Sequence, residues 1–291
     1  MVQTAASRHP VATEDGESLR AWEAGPPGAG NVLLVSGAAS DGRSWRFVVP
    51  ELCGSDLERT HCSDPSLAAD HHVAGFDQRG TGGSTGTAPP DSSGLAARHA
   101  LAVGRALLGP RFHLVGHSLG GMAATRLALD HPEAVASLVL ISTSAGGGAL
   151  TLPDDAWLAT IAGDGSGDPR ETAARNLALS FGSGFPEGKP ELFEHLVDEM
   201  LARPARPESM AAQAATFLTH DVTADLGRLR VPTLVICGTE DRVMRPPNSR
   251  YLADHITGAE LVEVEGAGHA VDLEVPALLR TAISRHVARH G

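Results

Sequence analysis

The chain has 291 residues, 42 % hydrophobic and 20 % charged, which is ample apolar material for a sizeable core and too little charge for a disordered tail. Its 23 basic and 35 acidic residues leave a net charge of −12, with one lysine, Lys189, and no basic cluster, so nucleic acid is not an expected partner and the acidity serves solubility. The opening MVQTAASRHPVATEDG lacks the apolar stretch of a secretory leader and no run of roughly 18 apolar residues occurs, so a cytoplasmic protein without a membrane span is expected.

In chain order, segments around Pro10–Thr13 and Ser18–Glu23 straddle the turn-like Asp15-Gly16 and predict an antiparallel hairpin at a sheet edge. Asn31–Ser36 is the first of six short, nearly continuous apolar runs. The others are His72–Asp77, Arg111–Gly116, Ser137–Ser142, Pro232–Gly238 and Ala259–Glu265. Such runs mark strands buried on both faces, as in a parallel sheet. Helical patterns fall between several of them, at Leu95–Leu108, Gly120–Asp130 and Asn248–His255, and Val275–Arg289 closes the chain. The alternation predicts an α/β fold with a doubly wound, mostly parallel sheet.

Two intervals break the rhythm. Gly54–His71 is polar and strand-free and reads as an enlarged surface loop. From Gly146 to about Asp221 no core strand occurs, and helices are expected at Asp154–Ala162, Pro169–Phe181, Pro190–Ala202 and Pro207–Thr219, most of them begun by proline. Residues 146–221 are thus expected to form a helical cap inserted into a core made of 1–145 and 222–291. The three cysteines are too few for a disulfide framework. Cys237 sits in an apolar run and reads as core, whereas Cys53 and Cys62 flank the loop as thiols that could pair on oxidation.

The chemistry centres on Gly116-His117-Ser118-Leu119-Gly120, a G-x-S-x-G motif between a predicted strand and a predicted helix. That context defines a nucleophile elbow, whose sharp turn exposes the serine hydroxyl at the carboxyl end of the sheet. A serine needs a base, and the base needs a third group to hold it. Asp241, in Gly238-Thr239-Glu240-Asp241, follows one later strand, and His269, in Gly266-Ala267-Gly268-His269, follows the next. Ser118, Asp241 and His269 therefore reach one sheet edge in the order expected for an elbow nucleophile. Glu240 competes with Asp241, and the G-x-x-D spacing favours the latter. His117 is expected to pack beneath the turn, and the Leu119 N–H to donate to an oxyanion. His61, His71 and His72 read as solvent-exposed loop histidines. No metal set and no dinucleotide motif is recognisable, so neither metal nor cofactor is expected.

With these motifs, and with Asp77-Gln78-Arg79-Gly80-Thr81-Gly82-Gly83-Ser84, the chain resembles the α/β-hydrolase superfamily. The resemblance is to its cofactor-free esterases, lactonases, haloperoxidase-like enzymes and proline iminopeptidases. It spans nearly everything outside 146–221. It implies a structural role for Asp77 and Arg79. It also implies a second oxyanion donor, the Ala38 N–H, in Ser36-Gly37-Ala38, where the family usually has His-Gly before the donor.

The expected activity is hydrolysis of a carboxylic ester or lactone of a small, largely apolar molecule, polyketide-like compounds included, through an acyl-enzyme on Ser118. Trp157, Phe181, Phe185 and Phe217 of the insertion, with Trp45, Met122 and Met244 of the core, are the candidate substrate contacts, although aromatics at helical spacing also serve packing. A proline iminopeptidase-like aminopeptidase would instead hold a substrate amine on cap carboxylates, of which Glu171, Glu194, Asp198 and Glu199 are available. A ligand receptor or non-hydrolytic biosynthetic catalyst on the same fold is the third reading.

Overall fold

The computed structural model describes residues 6–28, 30–38, 40–86, 89–161, 167–203 and 207–291. The hairpin is formed by β1 (Ser7–Ala12) and β2 (Ser18–Ala24), paired antiparallel. There follow β3 (Asn31–Val35), a short helix α1 (Asp56–Arg59), β4 (His72–Phe76), α2 (Ser93–Leu107), β5 (Phe112–His117), α3 (Leu119–Asp130) and β6 (Val135–Ile141). Five helices come next: α4 (Asp155–Ile161), α5 (Pro169–Ala178), α6 (Phe185–Gly188), α7 (Pro190–Ala202) and α8 (Pro207–Thr219). The chain ends with β7 (Thr233–Gly238), α9 (Pro246–His255), β8 (Glu260–Val264), α10 (Val271–Glu274) and α11 (Pro276–His290).

One eight-stranded sheet runs β1-β2-β4-β3-β5-β6-β7-β8, parallel from β4 to β8, with β2 antiparallel to β4. The buried runs are the central strands because helices cover both faces. One face packs Leu33, Leu114 and Leu140 against Ala100 of α2, Leu127 of α3 and Leu252 of α9. The other packs Leu34, Val115 and Ile236 against Leu279, Ile283 and Val287 of α11. Among the described residues no helix is long and apolar enough to cross a membrane.

Helices α4–α8 rise between β6 and β7, and the two ends of that segment meet. Gly146 and Asp221 form an antiparallel bridge, flanked by Gly147 N–H to His220 O (3.0 Å) and Val222 N–H to Ala145 O (3.0 Å). Gly146 has φ 71°, and a Cβ there would lie 1.9 Å from the His220 carbonyl oxygen, so the bridge requires glycine. The segment has its own apolar centre, in which Phe181, Phe185, Leu192, Phe193, Leu196 and Val197 enclose Phe47 of the core.

Gly54–His71 is not the open surface loop its polarity suggests. It carries α1, capped reciprocally by Ser55 and Glu58. Glu58 is only 1 % exposed. Its carboxylate meets Arg46 Nε at 2.8 Å and Arg43 Nη2 at 3.1 Å, and the same guanidiniums reach Glu199 of α7 at 2.7 and 3.5 Å. Burial opposes the Glu58 charge, but Arg46, the Gly54 N–H and Arg43 hold its pKa below the ordinary value. His71 and His72 are likewise buried rather than exposed, bonded to Ser284 (3.0 Å) and Glu23 (2.8 Å). Polar residues buried in pairs look identical in sequence to polar residues on a surface. Cys53 and Cys62 are free thiols whose sulfurs lie 3.0 Å apart, and both donate to Arg46 O.

Candidate active site

Ser118 is the residue between β5 and α3, at φ 54° and ψ −122°. This left-handed geometry is strained for a side-chain-bearing residue and is held from outside. Ser118 N–H donates to Ile141 O of β6 (2.9 Å), and Thr143 Oγ1 donates to Ser118 O (2.7 Å). The flanking glycines have a steric cause. A Cβ on Gly116 would fall 2.5 Å from the Gly120 carbonyl oxygen, and one on Gly120 would fall 2.2 Å from that of Val35. The elbow therefore folds tightly back against the end of β3.

Asp241 lies three residues beyond β7 and His269 five beyond β8, so both meet the elbow at the carboxyl edge of the sheet. His269 Nδ1 donates to Asp241 Oδ2 at 2.9 Å. Asp241 Oδ1 accepts the N–H groups of Val243 (2.9 Å) and Met244 (2.8 Å), so both carboxylate oxygens are engaged. Burial opposes the Asp241 charge, yet His269 and the two amides bring its pKa below the ordinary value. Burial also opposes a charged His269, but Asp241, with Asp272 and Glu274, raises its pKa above that of a free imidazole. The Nδ1 bond leaves Nε2 as the basic nitrogen. No direct hydrogen bond joins Ser118 to His269 among the described residues, and such contacts tighten in the Michaelis complex.

His117 packs under the turn, where Nε2–H donates to the His269 carbonyl oxygen (3.0 Å) and the two rings lie 4.9 Å apart. Burial depresses its pKa. Glu240 points elsewhere and accepts the Ser183 N–H at 2.7 Å.

The Ser36-Gly37-Ala38 loop sits directly on the elbow, since a Cβ on Gly37 would lie 3.1 Å from Ser118 Cβ. Neither the Ala38 N–H nor the Leu119 N–H has a protein acceptor among the described residues. With serine in place of the family's histidine, the loop is braced by Gln78 Nε2 donating to Ser36 O (2.8 Å) and Ser44 Oγ donating to Ser36 Oγ (2.9 Å). Asp77 accepts from Gly42 N–H (2.8 Å), Gly83 N–H (2.7 Å) and Arg20 Nε (2.7 Å), tying the D-Q-R-G loop to the same region. The brace from Gln78 was not read from the sequence. The unusual serine was the available signal that another side chain had to support the loop.

Of the candidate substrate contacts, Met122, Met244 and Phe217 gather with Leu119, the residue after Ser118, into one apolar cluster. Trp157 is half-buried on α4. Phe181 and Phe185 are buried in the helical segment, stacked at 4.0 Å and packed with Phe193, and Phe181 adjoins the histidine loop, where a Cβ on Gly268 would fall 2.4 Å from its carbonyl carbon. Trp45 is 1 % exposed and packs in the core with its ring edge-on to His117 at 6.4 Å. Three of the four carboxylates considered for holding an amine are engaged by arginines: Glu194 and Asp198 by Arg170, Glu199 by Arg46. Glu58, His195 and Glu199 form the single cluster among the described residues with spacing suited to a cation, and Arg43 and Arg46 already neutralise it.

A family model described as alpha/beta hydrolase fold matches residues 30–274. Among curated proteins, the chain is 31 % identical to "Putative carbamate hydrolase RutD" of Variovorax paradoxus (strain S110), across 91 % of this chain and 94 % of that one. It is 32 % identical to the rhodomycin D methylesterase DauP of Streptomyces sp. (strain C5), across 94 % and 96 %. Among solved structures, a hydrolase from Pseudomonas aeruginosa PA01 superposes with a TM-score of 0.77 at 27 % identity, covering 97 % of this chain and 98 % of that one.

Proposed function

The chain belongs to the alpha/beta hydrolase fold family and is an enzyme of the serine hydrolase superfamily, and on that premise we propose that it cleaves a carboxylic ester or lactone of a small, largely apolar molecule through an acyl-enzyme on Ser118. The observation that carries this reading is the His269–Asp241 hydrogen bond, at 2.9 Å, beside a strained serine elbow. His269 Nε2 takes the hydroxyl proton as Ser118 Oγ attacks the carbonyl carbon. Asp241 fixes the tautomer and stabilises the imidazolium. The Leu119 and Ala38 N–H groups receive the oxyanion. The imidazolium then protonates the leaving alkoxide, and a water activated by His269 releases the acid.

Residues 146–221 act as a cap over the site and 1–145 with 222–291 as the core that carries the chemistry. Met122, Met244 and Phe217 line the acyl side and favour apolar groups. The arginine-bound state of Glu194, Asp198 and Glu199 counts against an aminopeptidase. The RutD relative supports a second reading, carbamate cleavage, by the same chemistry at a less reactive carbonyl.

The test is turnover of a panel of p-nitrophenyl esters, lactones, carbamates and aminoacyl arylamides, together with labelling by a fluorophosphonate. Ester or lactone turnover with labelling at Ser118 is expected. Preferred carbamate turnover would move the assignment to the second reading. A labelled protein with no turnover on any member would make it a receptor, and no labelling would remove Ser118 as nucleophile.

A further inference from the structure

The loop that carries His269 touches the helical segment backbone to backbone. A Cβ on Gly268 would lie 2.6 Å from Gly182 N, and one on Gly182 would lie 1.9 Å from Gly266 O. Ala270 N–H donates to Ser180 O at 3.0 Å. One carboxylate spans this seam. Glu274, at the end of α10, accepts the Gly268 N–H on Oε1 (2.7 Å) and the Gly182 N–H on Oε2 (2.9 Å). Its two oxygens thus hold the residue before the histidine and the segment above it in a fixed relation. The Glu240 side chain, beside Asp241, grips the next amide, Ser183, and only its main-chain N–H reaches the histidine loop, donating to Ala267 O at 2.9 Å.

We propose that Glu274 is a positioning residue for the reaction, holding the His269 loop and registering the cap upon it through its paired hydrogen bonds to Gly268 and Gly182. The inference rests on His269 being the base of the proposed hydrolase. The ionised carboxylate accepts both N–H groups fully. Its protonated form keeps one strong acceptor and turns the other oxygen into a hydroxyl, so one bond weakens. Burial pushes the Glu274 pKa up to about 7, with the two N–H groups opposing and Asp272 and Asp241 adding to it. The other charged groups facing it are His269 and Lys189, whose Nζ donates to the Glu274 main-chain oxygen at 3.4 Å. As pH rises through this range the clamp closes while His269 loses its proton. Both changes favour activity, so the acid limb should be steeper than one proton.

The experiment compares kcat against pH for wild type, Glu274→Gln and Glu240→Gln on the best ester. Glu274→Gln keeps one acceptor but turns an N–H donor toward an amide. It should lower kcat by about tenfold or more at pH 8 and reduce the acid limb to a single proton. Glu240→Gln should retain the steep limb. Wild-type kcat with an unchanged limb in folded Glu274→Gln would overturn the proposal. Should that variant not fold, Glu274→Asp decides it, because the shorter side chain keeps the charge but cannot span both amides and should show the same loss of kcat. Wild-type kcat in folded Glu274→Asp would overturn it. Failure of the hydrolase reading is separate and shows as turnover that survives Ser118→Ala.

Discussion

Asp241 leads the three carboxylates that raise the basicity of His269, ahead of Asp272 and Glu274. Asp241 raises the His269 pKa, and in the proposed mechanism a neutral imidazole is the working form. Activity is therefore absent at low pH and rises as pH passes a midpoint above the ordinary histidine value of about 6.5. Asp241→Asn removes the charge that holds the proton on His269. It should move this limb to lower pH and reduce kcat on the order of 10⁴-fold, because the imidazole is no longer held in the right tautomer. A profile of kcat/KM for both proteins checks this, and a limb that moves upward or not at all refutes it. Ser118→Ala should lose ester turnover entirely while keeping its fold. Gln78 offers a test of the oxyanion loop. Its side chain and Ser36 are buried, so Gln78→Leu leaves the Ser36 carbonyl without its donor. The expected cost is about 1–3 kcal/mol of stability with a lower kcat and little change in KM. Equal loss of labelling and fold would make Gln78 purely structural.

Among the elements, Phe185 of α6 is expected to serve packing and Phe217 of α8 to serve selectivity. Phe185→Ala removes a ring from a packed interior and should cost about 3–5 kcal/mol, read as a fall in denaturation midpoint. Phe217 and Met244 pack with Leu119, next to the proposed nucleophile. Replacing either with alanine should shift preference among acyl chain lengths by about 1–3 kcal/mol while leaving fluorophosphonate labelling near wild type. Selectivity changes confined to Phe185→Ala would reverse this division. The join between α1, the Arg43–Arg46 turn and α7 is ionic. Glu58→Gln leaves two guanidiniums facing one remaining carboxylate, and breaking such a buried arrangement costs about 3–5 kcal/mol. An unchanged melting temperature would show that Glu199 compensates alone.

For the molecule as a whole, acid lability follows from its histidines. Burial lowers the pKa of His71, His99, His113, His117, His220 and His286. His113 and His220 fall to about 4. In the unfolded chain these groups bind protons below about 6.5, so the unfolded state gains protons first as pH falls. The stabilisation from His113 and His220 is complete above that value and drains away down to about 4, where these two rings also protonate in the folded protein. Urea unfolding from pH 7.5 to 4.5 should show a falling midpoint, shallower in a His113→Asn, His220→Asn double variant. A midpoint independent of pH would place these rings in contact with solvent.

The amino-acid sequence by itself determined the sheet and the order of the catalytic candidates. Strands covered on both faces need continuous apolar runs, and the elbow needs Gly116 and Gly120 because no side chain fits there. Both requirements are local, so a local pattern carries them. What only the tertiary structure decided depends on partners far apart in the chain. Glu58 reads as a surface acid until Arg43, Arg46 and Glu199 converge on it. Phe185 and Phe217 look alike in sequence, and only packing tells them apart, Phe185 stacked on Phe181 and Phe217 set against Leu119, Met122 and Met244. Glu274 is one more carboxylate in an acidic chain until the fold brings Gly182 and Gly268 to its two oxygens. Periodicity reports which face of an element is covered, whereas the compensation of a buried charge depends on which distant group arrives to meet it.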